Sequence, residues 1–171
     1  EGADLMRTGH LPTDLSWKAL KTTIGKTLEY SLPTTSLSKN QCDQIAGPAF
    51  RQGLGQSGIQ RNIAKALRYG DIKHQGLGLP DLYVNGNINK LQLLIEYGSV
   101  DKGPGQLMRD SMEAMQVEVG VRKKFFTYPY QIYGVLATKS WLKGLWKFCW
   151  ETDVRIRPNT PTIPILREED E

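Results

Sequence analysis

Basic side chains at helical spacing are the part of this sequence with the clearest chemical use. Arg61, Lys65 and Arg68 stand at positions i, i+4 and i+7 of a segment with helical character, so they are predicted to share one helix face. Such a row could hold several phosphates of a nucleic acid, with an affinity that falls as salt rises. A solvated basic face without a partner has the same pattern, and the spacing does not decide between the two.

A second basic cluster precedes a run of aromatic residues. Arg122, Lys123 and Lys124 are followed by rings at 125, 126, 128 and 130, which could stack on bases or pack in a core beneath surface lysines. The complete set of candidate nucleic-acid-binding residues is Arg51, Arg61, Lys65, Arg68, Lys73, Arg122, Lys123 and Lys124.

Catalytic and metal-binding patterns are weak throughout the sequence. The two histidines, His10 and His74, have no second ligand three or four residues away. Asp71 and Asp81 flank a central loop, where carboxylates most often cap helices or face solvent. Glycines at 53, 55 and 58 match a dinucleotide-binding pattern, but the preceding residues favour a helix, so a turn between helices explains them better. We therefore predict no catalytic residue, metal site or cofactor in this chain.

Composition indicates a folded protein with an uneven charge distribution. The chain has 171 residues, 39% hydrophobic and 23% charged, which fits one globular domain with a small appendage. Residues 51–150 carry fourteen basic and seven acidic side chains, whereas the part from 151 carries three and six. This asymmetry favours a polyanion-binding surface in the middle of the chain.

The cysteine count and the apolar runs bear on location. Cys42 and Cys149 are too few and too far apart for a disulfide framework or a C-x-x-C metal site, which fits a reducing, intracellular compartment, nuclear or cytoplasmic. No signal peptide and no apolar run long enough to cross a bilayer is recognisable, so we expect no membrane association.

Hydrophobic periodicity predicts an all-α fold, an irregular bundle of about six helices followed by an extended acidic tail. The predicted helices cover about 13–29, a segment begun by a capping box at Ser38, 62–69, 84–97, 104–119, and a last segment capped by Thr138. The second of these should have a face formed by Cys42, Ile45, Ala49 and Phe50. The fifth should end at Gly120 and pack through Leu107, Met108, Met112, Met115 and Val119. Pro48 should kink or break the second helix, and 125–134 should form a packed loop or short turn.

The central segment 76–83, GLGLPDLY, predicts a tight turn between two helices. Gly76 and Gly78 permit positive φ or a close approach to another part of the backbone, while Pro80 fixes its own φ.

Together with YSLPTTSLSKNQC at 30–42 and YGVLATKSWLKGLWKF at 133–148, this loop resembles the region that follows the polymerase core in reverse transcriptases of non-LTR retrotransposons. The resemblance implies a lead at 1–12, a helical thumb at 13–98, a connector at 99–151 and a tail at 152–171. It implies that the thumb grips an RNA/DNA hybrid or RNA template-primer duplex and contacts an upstream palm. The two divalent metal ions would lie in that palm, because this chain has no Asp-Asp pair.

The chain departs from that family at the central loop, where Gln75 stands in place of a common glycine and Asp71 in place of a common proline. A relic of such an element is therefore an alternative. A further alternative is a helical protein-interaction module, with Trp141, Trp146 and a methionine stripe at 108, 112 and 115 as its contact surface.

Overall fold

A computed structural model describes residues 4–5, 8–98, 100, 102–122 and 124–156. Lys123 and residues 157–171, most of the predicted acidic tail, lie outside the described residues. The described residues form helices and connecting turns without a β-strand, which confirms the all-α prediction. None of the helices in these ranges combines the length and apolar character that a membrane crossing requires.

The main helices match the hydrophobic pattern. The α-helices are α1 (Thr13–Ala19), α2 (Gly25–Tyr30), α3 (Lys39–Gln56), α4 (Lys65–Tyr69), α5 (Leu82–Tyr97), α6 (Pro104–Val119), α7 (Tyr130–Tyr133) and α8 (Trp141–Glu151). A π-helical turn, Leu20–Ile24, joins α1 to α2, and short 3-10 helices cover Leu32–Thr34, Ile72–His74 and Phe125–Thr127. The chain divides into two compact units, 1–86 (unit 1) and 87–171 (unit 2), with the division inside α5.

Unit 1 is built around α3. The Ser38 hydroxyl accepts from the Gln41 backbone N–H while the Gln41 side chain accepts from the Ser38 backbone N–H, so the predicted capping box is present. The helix continues through Pro48, where a break was one predicted outcome. Gly47 explains this tolerance, because a residue without Cβ relieves the clash that a following proline imposes in helical conformation.

The buried face of α3 carries the core of unit 1. Phe50 and Leu54 are fully buried and pack with Leu20 of the π-helical turn and with Leu79 and Leu82. Gly53 allows this packing, since a Cβ there would lie 2.5 Å from a Leu20 methyl carbon. Ile45, which we assigned to the buried face, is 44% exposed because the core-facing stripe runs through 42, 46, 50, 53 and 54.

The central glycine loop runs against the end of α4. Leu77 N–H donates to the Leu67 carbonyl at 2.8 Å, and Gly78 N–H donates to the Gly70 carbonyl at 2.9 Å. A Cβ on Gly76 would lie 2.1 Å from the Gly70 oxygen, so the predicted close backbone approach is confirmed. The glycines of this loop therefore allow it to pack closely against the end of α4 within unit 1.

Both aspartates that flank this loop cap helices. The Asp71 carboxylate accepts from the Lys73 backbone N–H, and the Asp81 carboxylate accepts from the Tyr83 and Val84 N–H groups at the start of α5. Capping was one of the two roles that the sequence left open for these residues.

We expect Gln75→Gly to stabilise unit 1. Gln75 has a φ of 62°, a left-handed conformation that strains residues with a Cβ. Removing that strain should raise the free energy of unfolding by about 0.5–1 kcal/mol, after allowing for the greater entropy of glycine in the unfolded chain. Urea denaturation followed by circular dichroism measures the change. Gln75→Ala keeps the strained conformation and should give no gain; an equal gain from alanine would contradict this explanation.

Unit 2 packs around α8. Leu145 and Trp146 are fully buried, as is Phe125 of the 3-10 helix, and Met112 and Met115 of α6 are also buried. The Trp146 ring meets Phe125 edge-on at a centroid distance of 5.3 Å, and its Nε1–H donates to the Tyr128 carbonyl. The segment 125–134 therefore contributes Phe125 to this core, and two short helices, Phe125–Thr127 and Tyr130–Tyr133, form most of it.

Two predicted details of unit 2 are wrong. The cap of α8 is Ser140, whose hydroxyl accepts from the Lys143 N–H, instead of Thr138. The Thr138 N–H donates instead to the Glu118 carboxylate. Leu107, assigned to the packed side of α6, is 68% exposed because the buried positions of this helix are 105, 112, 115, 116 and 119.

Candidate nucleic-acid interface

The predicted row of cations on a single helix is absent. Helix α4 begins at Lys65, three residues later than the periodicity indicated, so Arg61 lies outside it. A turn occupies the residues between α3 and α4. Arg61 therefore does not share a helix face with Lys65 and Arg68, as the i, i+4, i+7 spacing predicted. The prediction is wrong because Ala64 has a non-helical backbone, with a ψ of 141°, so the helix cannot begin before Lys65.

Arg61 instead lies against the C-terminal part of α3. A Cβ placed on Gly55 would be 2.5 Å from the Arg61 Nε, so the guanidinium occupies the space that a side chain at 55 would take. Arg51 is exposed and stands four residues before Gly55 on the same helix, which makes the two positions neighbours on the helix surface. Arg51 and Arg61, two of the predicted candidates, are therefore neighbours on the surface of α3, an arrangement that the sequence did not show.

Lys65 lies against the first half of the same helix. Its Nζ is 2.8 Å from the Asp43 carboxylate, in an ion pair that is also a hydrogen bond. That hydrogen bond and the negative charge of Asp43 raise the pKa of Lys65 above its usual value.

These contacts follow one i, i+4 ridge of α3, which we call the basic ridge. Its backbone positions are 39, 43, 47, 51 and 55, occupied by Lys39, Asp43, Gly47, Arg51 and Gly55. Lys65 lies at position 43 and Arg61 at position 55. Four cations and one carboxylate therefore lie along a row about 24 Å long, from a helical rise of about 1.5 Å per residue. The row turns about 40° around the helix at each step of four residues, so positions 39 and 55 are about 160° apart around the axis.

Lys39 is the member of the ridge that we did not select from the sequence. It is the first residue of α3 and is exposed. Its spacing of four residues from Asp43 was visible in the sequence, and the Ser38 capping box fixed the start of the helix. Those two signals together could have identified it.

The middle of the basic ridge is open. A Cβ at Gly47 would meet no atom within 4 Å outside its own helical surroundings. A ligand backbone could therefore approach the helix closely between the cations at its two ends.

Arg68 is half-buried and engaged within unit 1. Its guanidinium lies over the Tyr69 ring at 5.9 Å from the centroid and donates to the Ile63 carbonyl at 3.4 Å. Tyr69 in turn meets Phe50 of the core edge-on. This packing ties α4 to the core, whereas Lys73 is exposed on the 3-10 helix after it.

The second basic cluster belongs to unit 2. Arg122 is exposed, Lys124 is half-buried at the start of the 3-10 helix, and Lys123 lies outside the described residues. Phe125 is fully buried, and Phe126 packs on it at a centroid distance of 4.3 Å. Phe125 therefore has the core role that the sequence left open, and Phe126 is the half-buried ring beside Lys124.

Known proteins give no direct guide to what the basic ridge binds. Comparisons with protein-family models, curated proteins and solved structures found no match. The described residues also contain no group of three or more His, Cys, Asp or Glu side chains placed to hold a metal ion. The charge and geometry of the ridge are therefore the observations that bear on its ligand.

Proposed function

We propose that this chain binds a nucleic-acid duplex through its phosphates, as a thumb and connector segment of a reverse transcriptase of the non-LTR retrotransposon type. The observation that carries the proposal is the basic ridge. The side chains of Lys65 and Arg61 lie against α3 there, Lys65 at Asp43 and Arg61 at Gly55, before and after Arg51. Its Lys39, Arg51, Arg61 and Lys65 exceed the single carboxylate of Asp43 by three charges. The family resemblance of the central loop supports the same proposal.

The ridge suits a contact that does not read base sequence. About 24 Å of helix spans about seven steps of a duplex at 3.4 Å per step along each strand. Flexible cations along such a length can follow a phosphate backbone, and phosphate contacts position a protein without specifying sequence. In the proposal the chain supplies grip on the duplex, and the chemistry belongs to a separate palm.

Fluorescence anisotropy with a labelled RNA/DNA hybrid tests the proposal. We expect log K to fall with log salt concentration with a slope of about −2.7 or steeper, from about −0.9 for each of at least three phosphate contacts. Two hybrids of unrelated sequence should bind with affinities within a few-fold of each other. A slope near zero, or no binding at 50 mM salt, would exclude the ridge as a phosphate-binding surface.

Asp43→Asn should strengthen duplex binding. The substitution removes the carboxylate that holds Lys65, so that Lys65 can engage a phosphate without giving up an ion pair. We expect a gain of up to about eightfold in affinity at 0.1 M salt and a slope steeper by up to about 0.9. Asp14→Asn on α1 makes the same change in net charge at another exposed site and should have a much smaller effect. Equal gains from both would indicate a general charge effect instead.

A protein-interaction module is the second candidate, but on a different surface from the one predicted. Three residues of the contact surface that the sequence indicated, Trp146, Met112 and Met115, are buried and so are not available to a partner, whereas Trp141 and Met108 are half-buried. Ile132, Val135 and Leu136 are each more than half exposed within five residues of sequence, which favours a smaller apolar contact here. Sedimentation at low and high salt distinguishes the candidates, because apolar association persists at high salt whereas phosphate binding does not.

A further inference from the structure

Unit 2 contains a cleft that the proposed duplex-binding function does not use. Its volume is about 520 Å³, within the range of small-molecule sites. The cleft lies among α5, α6, the 3-10 helix Phe125–Thr127 and the turn after α8. Seven of its eleven lining residues are apolar or weakly polar: Leu94, Met112, Phe126, Cys149, Trp150, Val154 and Ile156.

The turn after α8 forms one wall of the cleft and is well defined. Val154 N–H donates to the Cys149 carbonyl at 3.0 Å, and Asp153 occupies the left-handed position with a φ of 51°. This is a Schellman arrangement, which ends the helix and brings Val154 beside Cys149. Burial raises the pKa of Cys149 to about 11, consistent with its apolar surroundings.

The opposite wall supplies a cation. Lys124 lines the cleft, and its carbonyl accepts from the Thr127 backbone N–H and hydroxyl, which fixes the turn that carries it. No carboxylate among the described residues pairs with Lys124. Arg155, the other cation of the lining, already pairs with Asp153 at 3.3 Å. The lining therefore has an excess positive charge at Lys124.

We propose that this cleft binds a small organic anion with an apolar body, such as an aryl or alkyl carboxylate or sulfonate. The apolar lining would take the ring or chain, with the half-exposed Trp150 available for stacking. Lys124 would meet the charged head. A nucleotide fits this lining less well, because its polar base edges would find few hydrogen-bonding side chains among the apolar ones.

A pair of dyes that share one apolar body tests the proposal. We would titrate the full chain with 8-anilinonaphthalene-1-sulfonate and with N-phenyl-1-naphthylamine, which lacks the sulfonate, and follow dye fluorescence. The sulfonated dye should bind with one site per chain and severalfold more tightly than the neutral dye. Equal affinities for the two dyes, or binding without saturation at one site, would overturn the proposal.

Three variants locate the site. Lys124→Gln should lower the affinity for the sulfonated dye about five- to tenfold and leave the neutral dye unchanged. Lys147→Gln removes an exposed lysine of α8 outside the lining and should change neither affinity. Val154→Trp should fill the cleft and abolish binding of both dyes, with a cooperative unfolding transition confirming the fold of each variant. Equal effects of the two lysine substitutions, or retained binding in Val154→Trp, would refute the assignment.

Competition separates the ligand classes. Decanoate and naphthalene-1-sulfonate should displace the bound dye, whereas adenosine monophosphate should displace it only at much higher concentration. Displacement by the nucleotide at lower concentration than by both organic anions would replace the proposed class with a nucleotide.

Discussion

Replacing Arg51 and Arg61 together by glutamine should weaken duplex binding about 60-fold at 0.1 M salt, because each lost phosphate contact removes about 0.9 from the slope of log K against log salt concentration. The slope itself should become less negative by about 1.8. Arg51 is a residue of the second half of the basic ridge, the Arg61 guanidinium lies at Gly55 of the same half, and neither residue belongs to the core of unit 1. Anisotropy titrations at several salt concentrations measure both quantities.

Lys18→Gln combined with Lys102→Gln is the matched control. Both lysines are exposed, and the double substitution changes the net charge by the same amount at positions outside the ridge. We expect a change of only a few-fold in affinity, from the long-range field alone. If both double variants lose affinity equally, the protein attracts nucleic acid through its overall charge and the ridge is not a binding site.

Local features of this fold could be predicted because they depend on neighbouring residues. The Ser38 capping box requires only Ser38 and Gln41, and Gly120 ends α6 with a φ of 71° as the sequence indicated. The close approach at Gly76 was also foreseen from two glycines near a proline. Each case is a short-range constraint that the amino-acid types impose on their own backbone.

The partner of each functional side chain could not be predicted in the same way. Periodicity placed Arg61 and Arg68 on one helix, but the Arg61 side chain packs against α3 and the Arg68 side chain lies over Tyr69. These partners depend on how the turn after α3 folds back, which is a tertiary property. Long side chains reach several ångströms from their backbone, so a shift of three residues in a helix start reassigns their contacts.

Burial decided between alternatives that the sequence left open. An aromatic ring beside a lysine fits both a surface that stacks on bases and a core. A methionine stripe fits both a protein-contact surface and a core. Phe125, Met112 and Met115 are core residues, whereas Phe126 and Trp150 line a cleft. Residue type gave the chemistry of each side chain, but only the packing shows which of them are available to a ligand.

Trp146→Ala should lower the stability of unit 2 by about 3–5 kcal/mol, the range for truncating a large buried aromatic side chain. The ring is fully buried and meets Phe125 and Tyr130 edge-on, at centroid distances of 5.3 and 5.4 Å. The substitution also removes the indole N–H that donates to the Tyr128 carbonyl, a hydrogen bond with a net contribution of about 0.5–1.5 kcal/mol. Urea denaturation and amide hydrogen exchange within 87–156 measure the loss.

Trp150→Ala is the control, since it removes the same side chain one turn further along α8. Trp150 is 41% exposed and lines the cleft, so its loss should cost about 1 kcal/mol or less. The two variants should also differ in function, because Trp150→Ala should weaken binding of the sulfonated dye while the fold persists. A similar loss of stability from both would contradict the placement of Trp146, and not Trp150, at the centre of the unit 2 core.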